Sequence, residues 1–117
     1  MEDGRAVEPA ERGATRIADR VVAKIASRAA REALSGTAAE HHEPPHALVV
    51  VHDGSARVRV HLELDYPVDI GERCRAVRGR VVERVRGLAG MEVPEVVITV
   101  ERLHSPHTDH AGRERVR

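Results

Sequence analysis

The chain has 117 residues, with 19 Lys and Arg against 19 Asp and Glu, one cysteine, one tyrosine (Tyr66) and neither Phe nor Trp. A length of this order suits one domain, a formal net charge of zero gives no general pull toward polyanions, and one aromatic side chain leaves almost nothing to stack on bases. Cys74 has no partner for an internal disulfide, the first residues are charged, and no apolar run nears the roughly 20 residues of a membrane span, so a cytoplasmic protein without its own anchor is expected.

Residues 1–13 are charged and aperiodic and read as a mobile arm. From Ala14 to Leu34 the apolar positions Ile17, Ala18, Val21, Val22, Ile25 and Ala29 recur at helical spacing, with Arg16, Arg20, Lys24 and Arg31 opposite. Thr15 is the expected N-cap, with Asp19 near the first turn. The loop "SGTAAEHHEPPH" follows, its Gly36, Pro44 and Pro45 ruling out continuation of the helix.

"ALVVVHDGSARVRVHLELDY" reads as a β-hairpin whose Asp53-Gly54 pair suits a two-residue type I′ turn. That turn sets Val51 opposite Ala56 and Val49 opposite Val58 on the core face, with Val58, Val60, Leu62 and Leu64 buried. Leu48 and Val50 then point to the other face, beside Arg59 and Arg57. Apolar residues on a nominally wet face mark a candidate contact surface.

A second helix begins after Pro67, with Asp69 and Glu72 spaced as a capping box and Gly87 or Gly90 placed to end it. The last element, "PEVVITVERL", is a strand with Val96, Ile98 and Val100 on one face and Val97, Thr99 and Glu101 on the other. The tail 104–117 reads as mobile. The order α-β-β-α-β predicts an α+β domain over residues 14–103: two layers, both helices on one face of a small mixed three-stranded sheet, the last strand parallel to the second.

The second helix carries six arginines. Ile70, Cys74, Val77, Val81, Val85 and Leu88 form its predicted core stripe, with Arg73, Arg80 and Arg84 along one border and Arg75, Arg78 and Arg86 along the other. Such borders are the habit of snorkelling side chains, whose stems cover the core edge while the guanidinium groups stay in water. Glu83 can pair with Arg80 or Arg86 at three-residue spacing. The competing reading is a basic patch for RNA or DNA made of Arg16, Arg20, Lys24, Arg73, Arg80 and Arg84, which requires the two helices to bring these residues together.

His41, His42, His46, His104, His107 and His110 fall in the loop and tail, among Pro, Ser, Thr, Asp and Gly. A metal site needs ligands converging on a rigid frame, so no metal or other cofactor is expected. Ser105, Asp109 and nearby histidines supply the residue types of a catalytic triad without anything to orient them. Cys74 lies in the apolar stripe and reads as a small buried residue. "GLAG" at 87–90 spells the loop of nucleic-acid-binding KH domains but joins a helix to a strand, so helix termination explains it. No catalytic residues, and no small-molecule substrate, are expected.

The segments "TRIADRVVAKIASRAAREA" and "VRVHLELDYPVDIGERCRAVRGRVVERVRGLAGMEVPEVVITVE", in that order, resemble the alkaline shock protein family of Gram-positive envelope stress response proteins. "AGMEVPEVVITV" at 89–100 follows that family's pattern most closely, and the likeness spans Ala14 to Leu103. It departs in the first loop, where the family has a short link and this chain has "ALSGTAAEHHEPPHALVV". The resemblance implies a non-enzymatic cytoplasmic scaffold that self-associates and is held near the membrane by a small membrane-spanning partner. The expected interaction face is Leu48, Val50, Arg57, Arg59, Val97 and Thr99.

Overall fold

The computed structural model describes residues 9–104, with side chains from Ile17 onward apart from Glu40. Helix α1 (Pro9–Leu34) is followed by a 3-10 turn (Ala38–His41), strands β1 (His46–His52) and β2 (Ser55–Asp65), helix α2 (Ile70–Ala89) and strand β3 (Glu92–His104). The sheet has the order β1-β2-β3, with β1 antiparallel and β3 parallel to β2. This is the α+β arrangement expected from the element order.

The hairpin register is as the turn residues dictate. Asp53 and Gly54 both take positive φ, 51° and 74°, as a type I′ turn requires. Val51 lies opposite Ala56, Val49 opposite Val58, Leu48 opposite Arg59 and Val50 opposite Arg57. Alternation therefore sends Ala47, Val49, Val58, Val60, Leu62 and Leu64 into the core, joined there by Val22, Ala26, Ala29, Ala30 and Leu34 of α1 and by Val77, Val81 and Val85 of α2. The whole core is aliphatic, so shape complementarity among Val, Leu and Ala has to supply what aromatic bulk supplies elsewhere.

Several sequence expectations are corrected. Helix α1 begins at Pro9 and not near Ala14, taking in residues 9–13, so Thr15 is an interior residue and no N-cap. Asp19 is likewise not a first-turn charge: its Oδ1 accepts the Val51 backbone amide at 2.9 Å. Ile17 and Val21, assigned to the α1 core stripe, are 64% and 51% exposed, while the smaller Ala26 and Ala30 are fully buried. In α2 the stripe is shorter at both ends, since Ile70 is 40% and Leu88 68% exposed and Cys74 is half-buried. Two layers give each helix a single buried line where it crosses the sheet, and residues beyond that crossing face water.

The ends of α2 form as expected. The Glu72 amide donates to Asp69 Oδ1 at 3.0 Å, and Gly90, at φ 66°, closes the helix through its amide to the Arg86 carbonyl. His104 belongs to β3 and not to the tail: the Tyr66 amide donates to its carbonyl at 2.7 Å. Among the described residues no helix is long and apolar enough to cross a membrane.

Candidate functional site

With both helices on one side, the outer face of the sheet is left open. Toward the hairpin end it carries two cross-strand rows, Leu48–Arg59–Val97 and Val50–Arg57–Glu95. Leu48 and Val50 are 60% and 63% exposed and Val97 is 37% exposed. They line a shallow concavity with Arg57, Arg59 and Glu95. Arg57 pairs with Glu95 at 3.5 Å, whereas Arg59, between Leu48 and Val97, has no ionic partner among the described residues. Thr99 is exposed one row further along, opposite His61. All six residues of the expected interaction face thus share one surface.

The edge of that sheet is guarded. In an antiparallel pair every second amide of an edge strand turns away from its neighbour. On β1 two of these are capped from α1: the Ala47 amide donates to Ser27 Oγ at 3.0 Å and the Val51 amide to Asp19 Oδ1 at 2.9 Å. Side-chain acceptors at these positions block strand addition along β1. The face is open and this edge is not.

Four of the six α2 arginines, Arg78, Arg80, Arg84 and Arg86, meet neighbouring elements of the same chain. Arg80 Nη1 and Arg84 Nε both donate to Glu32 Oε1 of α1, each at 3.1 Å, and Arg80 also lies 3.7 Å from Glu83. On the other border Arg78 Nε donates to the Val96 carbonyl of β3 at 3.4 Å and Arg86 lies 3.9 Å from Glu92. The Arg84 hydrogen bond is the largest cause holding the Glu32 carboxyl below its ordinary value; burial opposes it, and the Arg80 hydrogen bond and both charges add to the lowering.

Of the residues proposed for a nucleic-acid patch, Lys24, Arg80 and Arg84 border the junction of the two helices, where Glu32 accepts from both arginines. Lys24 and Arg84 line a groove between the helices with Arg28, Val21, Ile25, Leu88 and Glu32. Because Glu32 meets Arg80 and Arg84 while Val21 shares the groove with Leu88, the helices run antiparallel, which puts Arg73 beyond one end of the groove, while Arg20 lies one helical turn before Lys24. The Arg16 side chain lies outside the described residues, as do Ser105, His107, Asp109 and His110.

The far half of the outer face has a different character, and sequence reasoning missed it. Glu63 and Asp65 alternate with Leu62 and Leu64 along β2 and so share the outer face with His61. His104 pairs with Asp65 in the β2–β3 register, and His42 comes in from the 3-10 turn. His42 Nε2 donates to Asp65 Oδ1 at 2.5 Å and His104 Nε2 to Glu63 Oε1 at 2.7 Å. The two imidazoles stack with centroids 3.8 Å apart. The hydrogen bond from His104 holds the Glu63 carboxyl below its ordinary value, with burial opposing and the Glu43 backbone amide and the charges of His104 and Arg102 adding to it.

Beside this group His46 stacks on His61 at 5.0 Å, and His61 Nδ1 donates to Glu101 at 3.1 Å. The only local signal for either cluster was the i, i+2 spacing of His61, Glu63 and Asp65 on a strand. Comparison with known proteins adds nothing to this geometry: no family model, curated protein or solved structure matches the chain.

Proposed function

We propose that the chain is a non-enzymatic scaffold that works by self-association through the outer face of its sheet, in the manner of the alkaline shock proteins it resembles in sequence. The observation that carries this reading is the exposed line Leu48, Val50 and Val97, with Arg59 between them lacking an ionic partner among the described residues. Apolar side chains held in register on a rigid sheet gain by leaving water together, and a flat face buries them best against another flat face. The occupant is a second copy of the chain. The patch carries both signs of charge, so a two-fold arrangement supplies Arg59 with the Glu95 of the other copy while the apolar rows meet.

By the same resemblance the scaffold works in the cytoplasm, near the envelope, through a small membrane-spanning partner. Four of its six α2 arginines, Arg78, Arg80, Arg84 and Arg86, are already engaged by Glu32, Glu92 and the Val96 carbonyl, which favours contact between proteins over contact with RNA or DNA. Sedimentation of the wild type and of a Leu48→Asp, Val97→Asp double variant tests the proposal. The expected result is a discrete assembly that falls to monomer in the variant with the thermal transition retained. Identical sedimentation of the two proteins would sink it, as would nuclease-sensitive recovery of nucleic acid in place of a membrane protein after cross-linking in the native host.

A further inference from the structure

We infer that His42, Glu63, Asp65 and His104 form a binding site for one divalent transition-metal ion of the zinc type. This site is separate from the self-association surface and does not rest on that reading. Three observations carry it.

The first is convergence. His42, Glu63 and His104 each offer a ligand atom, and these atoms lie within 4.8 Å of one another, while Asp65 Oδ1 lies 2.5 Å from His42 Nε2. Two imidazole nitrogens with two carboxylates make a mixed nitrogen and oxygen set suited to zinc and neighbouring first-row ions, and poorly suited to magnesium or calcium, which take oxygen ligands.

The second is the frame. Glu63 and Asp65 sit on the central strand, and His104 sits on β3 directly opposite Asp65, pinned by the Tyr66 amide on its carbonyl. His42 follows the 3-10 turn, which is capped by Thr37 and closed by the His42 amide on the Ala39 carbonyl. Thr37 is itself tied to the helix end by a 2.6 Å hydrogen bond to the Leu34 carbonyl. Three of the four donors therefore come from paired strands, which is the rigidity a ligand set needs.

The third is an unsatisfied group. Asp65 Oδ2 is buried and is the one buried side-chain oxygen or nitrogen without a hydrogen-bond partner among the described residues. A carboxylate oxygen in that state is costly unless a cation or donor meets it. The four side chains are only 16 to 25% exposed, unlike the neighbouring His46–His61–Glu101 group, whose Glu101 is 47% exposed.

Loading changes two things. Each Nε2 gives up its hydrogen bond to a carboxylate, the imidazole carrying its proton on Nδ1 instead. The rings must also splay, because an ion shared between planes 3.8 Å apart and only 10° from parallel lies outside both. His42 follows the 3-10 turn outside the sheet, whereas His104 is held in its strand.

The test is titration of the full chain with zinc chloride by calorimetry at neutral pH, with cobalt(II) absorption as a second readout of coordination. The expected result is one ion per chain. Affinity should fall at least about tenfold in His104→Ala and in the near-isosteric Glu63→Gln, and should be unchanged in His52→Ala. Absence of binding would overturn the proposal. So would binding that survives both cluster substitutions and is lost instead in His61→Ala or in a His107→Ala, His110→Ala double variant. Glu63→Gln preserves size and shape, so a fold-retaining variant is available should His104→Ala prove unstable.

Discussion

The carboxylate of Asp19, in the middle of the first helix, accepts the backbone amide of Val51 on the edge strand at 2.9 Å. One side chain thus joins the two layers and also occupies an amide that would otherwise template another strand. A hydrogen bond to a charged acceptor contributes about 1.5–3 kcal/mol, so Asp19→Ala is expected to lower unfolding free energy by about that amount in urea titrations. It should also raise the rate of aggregation seen by light scattering, because the β1 edge regains a free donor. Asp19→Asn, which keeps an acceptor oxygen, is expected to recover most of the loss.

Glu32 links the helices through Arg84 and Arg80, and its folded pKa lies below its ordinary value. The folded chain therefore binds this proton less readily than the unfolded chain. The stabilisation is complete above the unfolded pKa and is lost as pH falls through the folded one. Glu32→Gln should be less stable than the wild type at neutral pH, and the two curves should converge as pH drops from about 5 toward 3. A gap that stays constant across that range would mean that the pair does not act through charge.

The contrast between the buried sheet face and the exposed end of α2 can be tested by truncation. Leu62→Ala, at a side chain 2% exposed, is expected to cost about 2–5 kcal/mol because the aliphatic core can only partly close over the void. Leu88→Ala, at a side chain 68% exposed, should change stability by less than about 0.5 kcal/mol in the same denaturation experiment. Comparable losses at the two sites would contradict the packing.

Two glycines three residues apart should respond with opposite signs. Gly87 lies within the helix with open space where a Cβ would go, and Gly90 has the same space but a φ of 66°. Gly87→Ala is expected to stabilise by about 0.5–1 kcal/mol through helix propensity. Gly90→Ala should destabilise by about 1–2 kcal/mol because the left-handed conformation is strained for alanine. Thermal melts of the two variants give the comparison directly.

Local pattern was enough to define the hairpin. Asp53-Gly54 admits one turn, and with side chains alternating at period two that turn fixed which of Leu48, Val49, Val50 and Val51 entered the core. Asp69 marked the start of α2 for an equally local reason, an amide needing an acceptor; of the two glycines offered for its end, Gly90 takes the positive φ that closes it and Gly87 stays inside the helix. Even the exposed row of Leu48 and Val50 was legible before any tertiary information.

Other features depend on where elements meet, which no local period encodes. The exposure of Val21 and Leu88 follows from which side of each helix meets the sheet, since both line the groove between the helices and not the buried layer. The reach of Asp19 and Glu32 to their partners follows from the docking of α1. The histidines show this most plainly. In sequence His42 and His104 sit in polar stretches that look unfit to hold anything. The parallel register of β3 sets His104 opposite Asp65, and the 3-10 turn carries His42 over the same end of the sheet, so a cluster with an unmet buried oxygen arises from segments far apart in the chain. Sequence determined the elements and their faces; the tertiary structure alone decided which polar side chains those faces bring within reach of one another, because that depends on strand order and crossover register.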